Sequence, residues 1–228
     1  METMEYGVNT EYEYESTQEN ENAENVESME VWYILDQNLH RFYIFEHERV
    51  HDLAKRAIAQ HGNNTRAIAE YIVTELNEVA PGRINLDEEW VFNNAGGAMG
   101  AMWILHASIT EYLIIFGTAV GTEGHSGRHP ADNYFNILTG TELAYVPGQY
   151  EPEVYPPGSV HYLKRGSVKQ YKMPEGCFAL EYMRGWIPLT LFFGFADTFS
   201  SVLDFETLWR TSWITGRQII GNLVRGKF

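Results

Sequence analysis

Glycine and proline residues divide the stretch from Gly117 to Gly185 into short segments, and this punctuation constrains the fold more than any other feature. The segments between them are rich in β-branched and aromatic residues, which favour strands. Closely spaced short strands are typical of an antiparallel barrel or sandwich, and a compact barrel leaves an interior for side chains or one small ligand. The segments that we assign to strands cover residues 134–138, 142–146, 160–163, 167–171 and 178–183.

The most apolar stretch of the chain, residues 98–119, precedes this region. It is long enough to raise the question of a transmembrane helix, but polar side chains from His106 to Glu111 lie in its middle and would be costly in hydrocarbon. We therefore predict a buried core helix that changes to a strand at Tyr112, which places the barrel at about residues 112–185.

The N-terminal part of the chain carries most of the charge. The chain has 31 Asp and Glu against 16 Lys and Arg, a net charge of -15 that argues against nucleic-acid binding. Residues 1–30 contain ten Glu and no Lys, Arg or Asp, so we predict an acidic disordered tail. Residues 31–45 have near-helical apolar spacing and predict a short amphipathic helix, which either packs on its own domain or contacts a membrane or a subunit.

Two further regions of helical pattern flank the strands. Residues 46–80 carry two apolar stripes, interrupted at residues 61–65, and predict two helices. Residues 187–200 and 204–224 are also helical in pattern, and Asp204 is placed to cap the second helix. Because this C-terminal pair combines many aromatic residues with Arg and Lys, we expect it to rest on a membrane; the alternative is that it covers one barrel opening.

Glu181 is the first candidate for chemistry, because its neighbours from Cys177 to Met183 are mostly apolar on both strand faces. A carboxyl group in such surroundings loses hydration, so its pKa rises and it holds a proton near neutral pH, as a general acid must. The alternative is a carboxylate that bonds a neighbouring tyrosine or amide without catalysis. Asp132 opens a strand and alone resembles a turn or capping residue, but with Glu181 it would form a carboxyl pair in the barrel.

Histidines near residues 123–129 and at His161 raise the possibility of a metal site. The segment Pro156–His161 fits P-x-G-x-x-H, part of the second metal-binding motif of cupins. The His-x-His pair with a following Glu, which supplies most ligands in metal cupins, is missing, so we predict no metal and assign the histidines to turn and loop hydrogen bonds. The single cysteine, Cys177, excludes an internal disulfide and a multi-cysteine zinc site.

Four blocks of the chain resemble the fungal sterol C8–C7 isomerases and the sigma-1 receptor. The resemblance runs from about Tyr43 to the C-terminus. The blocks are EEWVFNNAGGAMG at residues 88–100, ILHAS at 104–108, EYLIIFGTAVGTEGHSG at 111–127 and FALEYMRGWIP at 178–188.

This resemblance implies an α+β fold: a cupin-like antiparallel barrel without catalytic metal or other cofactor, with N-terminal helices and C-terminal helices lying on the endoplasmic reticulum membrane, commonly as a homotrimer. It implies that Glu181 is the proton donor and that Tyr112 bonds it. The second acid of the sigma-1 pocket falls at Phe135, so its role would pass to Asp132 or be absent. Apolar pocket positions carry over to Met102, Ile114, Phe116, Met173 and Leu191.

The activity implied is a sterol Δ8–Δ7 isomerisation, in which C9 is protonated, a cation forms at C8 and a proton leaves C7. The alternative is a receptor of the sigma-1 type, in which the same Glu181 pairs with amines without catalysis. The segment Gly121–His125 looks more like the fungal enzymes, which favours catalysis. Where the family usually has an N-terminal transmembrane helix, this chain has the acidic tail and residues 31–45.

Overall fold

The computed structural model describes residues 29–228. The chain divides into two compact units, one ending at Arg41 and one spanning Phe42–Phe228. Residues 29–38 of the first unit form helix α1, and a 3-10 helix follows at Leu39–Phe42, which ends on the first residue of the second unit. The expected amphipathic helix at residues 31–45 is thus helical as far as Phe42, whereas most of the expected acidic tail lies outside the described residues.

Two helices open the larger unit, and the prediction of N-terminal helices is confirmed. Helix α2 covers His47–His61 and helix α3 covers Thr65–Val79. Between them, Gly62 adopts a positive φ of 60°, which favours glycine, and ends α2. The side chain of Asn64 caps α3 by accepting a hydrogen bond of 3.2 Å from the backbone N–H of Ala67.

The described residues form ten strands in two sheets, and every pairing is antiparallel. The six-stranded sheet has the order β1-β2-β3-β10-β5-β8, and the four-stranded sheet has the order β4-β9-β6-β7. The predicted α+β fold with antiparallel β-structure is confirmed. The strands are β1 Trp90–Ala95, β2 Ala98–Ala107, β3 Glu111–Thr118, β4 Thr122–His125, β5 Ala131–Thr139, β6 Glu142–Tyr145, β7 Glu153–Tyr155, β8 Val160–Leu163, β9 Gln170–Met173 and β10 Cys177–Gly185.

The apolar stretch at residues 98–119 is a β-hairpin, so the prediction of a buried helix there is wrong. Strand β2 pairs with β3 in antiparallel register, for example Met102 with Phe116. Both faces of these strands are covered, and a strand buried on both sides has a continuous apolar run that resembles a buried helix in sequence. The β-structure therefore begins at Trp90 rather than near residue 112. Within residues 29–228, no helix has the length and apolar character needed to cross a membrane.

The six-stranded sheet packs different partners on its two faces, because successive strand residues point in opposite directions. One face, which includes Leu180 and Tyr182, packs on α2 and α3. The other face, which includes Ala179 and Met183, shares a core with Met173 of the four-stranded sheet and with the C-terminal helices. Glu181 lies between these two, so it faces the interior between the sheets.

Two C-terminal helices cover part of this interior. Helix α4 spans Ile187–Asp197, a π-helical turn follows at Thr198–Val202, and helix α5 spans Phe205–Val224. The predicted cap is confirmed, since the Asp204 carboxylate accepts a hydrogen bond of 3.0 Å from the backbone N–H of Thr207. Both helices pack against β1. The helices and the turn between them leave large apolar side chains exposed: Leu189, Phe192, Phe199, Leu203, Phe205, Trp209, Trp213 and Ile220.

Candidate active site

Glu181 occupies the middle of β10, a central strand of the larger sheet. It lies in register with Ile114 of β3 and with Phe135 of β5. Its Oε1 accepts a hydrogen bond of 2.6 Å from Asn133 Nδ2. Burial raises the pKa of Glu181 to about 7, although the Asn133 hydrogen bond lowers it; the charge of Glu142 raises it further. With a pKa near 7, the group is present in both protonation states near neutral pH.

An apolar cavity of about 170 Å³ lies between the six-stranded sheet and the C-terminal helices. Glu181 borders it, and its acid group therefore meets an otherwise largely hydrocarbon wall. His129 and Asp204 also lie on its border. Four of the predicted pocket residues line it: Met102, Tyr112, Ile114 and Leu191.

A second and more polar cavity of about 100 Å³ also borders Glu181. Two predicted pocket residues, Phe116 and Phe135, border this cavity, and their ring centroids are 6.1 Å apart. Met173 lies 1% exposed in the core between the sheets, and it lines neither cavity. Glu181 is therefore the carboxyl group at the junction of an apolar and a polar space.

Tyr112 faces the apolar cavity but has a different partner from the one that the resemblance implied. Its hydroxyl lies 3.5 Å from Thr215 Oγ1 on α5, whereas Asn133 supplies the hydrogen bond to Glu181. Burial raises the pKa of Tyr112, so its hydroxyl stays neutral. Tyr112 thus connects the sheet to the covering helix, close enough to Glu181 for the two to interact electrostatically.

Asp132 does not form a carboxyl pair with Glu181, and that prediction is wrong. Asp132 lies in register with Arg184, three strand positions from Glu181, so it belongs to the opposite face of the sheet. Its Oδ1 accepts hydrogen bonds from Tyr162 Oη at 2.9 Å and from the backbone N–H of Arg165 at 3.0 Å. Its role is to fix the start of β5 against its neighbours.

Comparison with known proteins places the chain in a family. Residues 26–227 match the family described as "ERG2 and Sigma1 receptor like protein". The chain belongs to the ERG2 and sigma-1 receptor family. Glu181 and the cavities around it lie inside the matched range.

Relatives in the ERG2 and sigma-1 receptor family divide into two kinds. The C-8 sterol isomerase of Neurospora crassa is 73% identical over 199 residues, which cover 86% of this chain and 77% of that protein. The sigma non-opioid intracellular receptor 1 of Xenopus tropicalis is 42% identical, over 78% of this chain and 80% of the receptor. A solved RmlC-like cupin from Shewanella frigidimarina is 16% identical and covers 45% of this chain and 89% of that chain, with a TM-score of 0.37.

Sequence reasoning missed three polar residues that surround Glu181 in this family member. Asn133 is the hydrogen-bond donor, and Glu142 pairs with His161, whose Nδ1 lies 3.0 Å from Glu142 Oε1. The assignment of His161 to a turn is therefore wrong. A usable signal existed for Asn133, because it lies two residues before Phe135 and so shares its strand face. Glu142 and His161 meet only through the pairing of separate strands, which the sequence does not reveal.

The other two histidines of this prediction, His125 and His129, do serve turns and loops. His125 Nδ1 accepts a hydrogen bond of 2.9 Å from the backbone N–H of Gly127, and His129 Nε2 lies 2.9 Å from the carbonyl oxygen of Ser126. Within residues 29–228, no group of three or more His, Cys, Asp or Glu side chains is placed to hold a metal ion.

Proposed function

We propose that this member of the ERG2 and sigma-1 receptor family is a sterol Δ8–Δ7 isomerase with Glu181 as its general acid. The observation that carries the proposal is the carboxyl group of Glu181, which borders an apolar cavity and has a pKa of about 7. A general acid works best when its pKa lies near the working pH. The relatives named C-8 sterol isomerase, at 68–73% identity over most of the chain, support this activity.

The reaction adds one proton to the sterol at C9 and removes another from C7. The O–H bond of protonated Glu181 breaks, its proton forms a bond to C9 with the π electrons of the Δ8 double bond, and a cation develops at C8. The C7–H bond then breaks, its electron pair forms the Δ7 double bond, and the Glu181 carboxylate receives the proton. The carboxylate also stabilises the cation between the two steps, because attraction is strong where water is excluded.

The remaining residues of the site hold the substrate in place. Met102, Ile114 and Leu191 present apolar surface to the rings. Pockets for drug-sized ligands usually measure about 300 to 1,000 Å³. The 170 Å³ cavity is smaller than this range, so the site has to enlarge when a sterol enters.

A receptor without catalysis is the second candidate, favoured by the 42% identity to a sigma non-opioid intracellular receptor. The ionised form of Glu181 would pair with a cationic amine in the same cavity. Turnover separates the two functions, since a receptor binds amines but leaves a Δ8 sterol unchanged.

The test is expression in a fungal strain that lacks Δ8–Δ7 isomerase, with the sterols identified by mass spectrometry. We expect Δ7 sterols to return. Glu123→Gln is the matched control for removing the carboxyl group of Glu181. It removes an exposed carboxylate paired with Lys172 and should behave as the wild type. Accumulation of Δ8 sterol despite folded wild-type protein would contradict the isomerase function.

We further propose that α4 and α5 rest on the endoplasmic reticulum membrane. The exposed aromatic side chains of these helices support this, with Trp209 68% exposed and Trp213 58% exposed. The double variant Trp209→Ser/Trp213→Ser should bind lipid vesicles several-fold more weakly, while Tyr150→Ser, which removes a fully exposed aromatic elsewhere, should bind normally. Equal vesicle binding by all three proteins would contradict this placement.

The family resemblance also supports assembly as a homotrimer, which we propose for the protein in detergent. Sedimentation of the detergent-solubilised protein should give three times the chain mass of 26.2 kDa. A monomer mass at concentrations that retain activity would overturn this assembly.

A further inference from the structure

The Glu142–His161 pair lies almost entirely out of solvent beside the catalytic carboxyl. Glu142 is 3% exposed and His161 is 4% exposed. The His161 ring stacks on Tyr155, with ring centroids 4.5 Å apart, so its orientation is fixed. With a proton on Nδ1, His161 donates a hydrogen bond to Glu142 Oε1. Its Nε2 then has no hydrogen-bond partner among the described residues.

Several polar atoms of this cluster have no partner within the described part of the chain. They are Glu142 Oε2, His161 Nε2 and Asn133 Oδ1. All three residues line the 100 Å³ polar cavity together with Glu181. Unpaired buried polar atoms are costly, and a liquid water occupies about 30 Å³, so the cavity has the size and the polar groups to hold ordered water.

We propose that the Glu142–His161 pair is a positioning element of the active site that keeps Glu181 protonated at working pH and connects it to water in the polar cavity. This role rests on the proposed function, in which only protonated Glu181 starts the reaction. A negative charge close to a carboxyl group disfavours its ionisation, and Glu142 supplies that charge from β6.

Asp204, His125 and His129 also border the two cavities, but Glu142 is the group whose charge raises the pKa of Glu181. The polar groups on the packed strands are Asn133 of β5, Tyr112 of β3 and Tyr171 of β9. Burial raises the pKa of both tyrosines, which keeps them neutral, and Asn133 carries no charge. The hydrogen bond from Asn133 lowers the pKa of Glu181, so the carboxylate of Glu142 is the charged group that opposes it.

The pH dependence of kcat/KM tests the proposal with Glu142→Gln, which keeps the shape of the side chain and removes its charge. Activity should fall with rising pH as Glu181 loses its proton. In Glu142→Gln this basic limb should move to lower pH by roughly one unit. Glu123→Gln removes the same charge from an exposed pair on β4 and should leave the limb in place. A merely structural role for Glu142 would change the rate or the melting temperature without moving the limb.

A second variant tests the proposal if Glu142→Gln does not fold. Glu142→Gln/His161→Gln replaces the buried pair with two amides that are able to bond each other, and it should show the same downward shift. An unchanged basic limb in a folded variant of either kind overturns the proposal and leaves the isomerase function intact.

Infrared titration gives a readout that does not need turnover. The carbonyl band of protonated carboxyl groups that Glu181→Gln abolishes should titrate near pH 7 in the wild type and at lower pH in Glu142→Gln. If the wild type proves inactive on Δ8 sterols and this band still shifts, the proposed function fails while the pair's control of Glu181 holds. An equal midpoint in both proteins would refute that control.

Discussion

At the residue scale, the alternation of side chains along β10 determines the chemistry. Leu180 and Tyr182 join the helix-side core, while Glu181 faces the interior between Ala179 and Met183. The apolar neighbours needed to raise the pKa of a carboxyl group are visible in the sequence. The side of the sheet on which each acid lies depends on strand register, which the sequence does not reveal. For that reason the prediction that Asp132 pairs with Glu181 is wrong.

The raised pKa of Glu181 predicts a pH-dependent loss of stability relative to Glu181→Gln. The native state holds the proton up to about pH 7, whereas a carboxyl group in the unfolded chain loses it near 4.5. The contribution of protonated Glu181 is therefore complete below pH 4.5 and is lost as the pH rises through 7. The wild type should lose up to about 3 kcal/mol of unfolding free energy relative to the variant over this window. Denaturant unfolding at several pH values measures this loss. If the unfolding free energies of the wild type and Glu181→Gln changed equally with pH, the prediction would be contradicted.

Asp132→Asn should leave turnover within about twofold of the wild type, because the side chain lies on the opposite face from Glu181. The variant loses part of its bonding to Tyr162 and Arg165, so a cost of about 1 kcal/mol in stability is expected. Steady-state kinetics and thermal melting measure the two effects. A loss of 100-fold in kcat without unfolding would return Asp132 to the active site.

At the element scale, an ion pair between Lys227 and Glu111 joins the segment after α5 to β3. Through Glu111, it also joins residues 44–45 and β10. Lys227 Nζ lies 2.8 Å from Glu111 Oε2 at the start of β3, in a pair that is 5% and 0% exposed. Glu111 also accepts hydrogen bonds from the backbone N–H groups of Ile44 and Phe45 and from the Tyr182 hydroxyl. Burial lowers the pKa of Lys227, and the charge of Glu111 opposes this.

Lys227→Met should therefore destabilise the protein by about 3 to 5 kcal/mol, because the Glu111 carboxylate is left buried without its counter-charge. Lys55→Met, on the exposed side of α2, is the matched control and should change stability by less than about 0.5 kcal/mol. Adding Glu111→Gln to Lys227→Met should recover part of the loss. Chemical denaturation that ranks both lysine variants equally would contradict this role of the C-terminus.

The sequence revealed elements best where one face of an element is exposed. Helices α2 and α3 have clear apolar stripes, and the strand at Val160–Leu163 was located at its observed bounds. Prediction from the sequence failed for Ala98–Ala107, where burial on both faces removes the alternation of apolar and polar residues that distinguishes a strand. The short strand Glu153–Tyr155 was missed because three residues carry too little pattern.

At the scale of the larger unit, the two sheets and the C-terminal helices divide the interior into two spaces with Glu181 between them. The apolar space is lined largely by hydrocarbon side chains, and the polar space contains the Glu142–His161 pair. The family was predictable from sequence blocks, and so was Glu181 as the residue proposed to donate the proton. The polar space was not, because its walls come from strands that are distant in sequence, such as β6 and β8.

The kcat of Glu181→Gln on a Δ8 sterol, measured beside its melting temperature, tests the central claim most directly. The amide keeps the shape of the side chain and has no transferable proton, so kcat should fall roughly 100-fold to 10,000-fold, the range expected for loss of a general acid. The melting temperature should be equal to that of the wild type or higher. A folded Glu181→Gln protein with near-normal kcat would contradict the assignment of Glu181 as the acid.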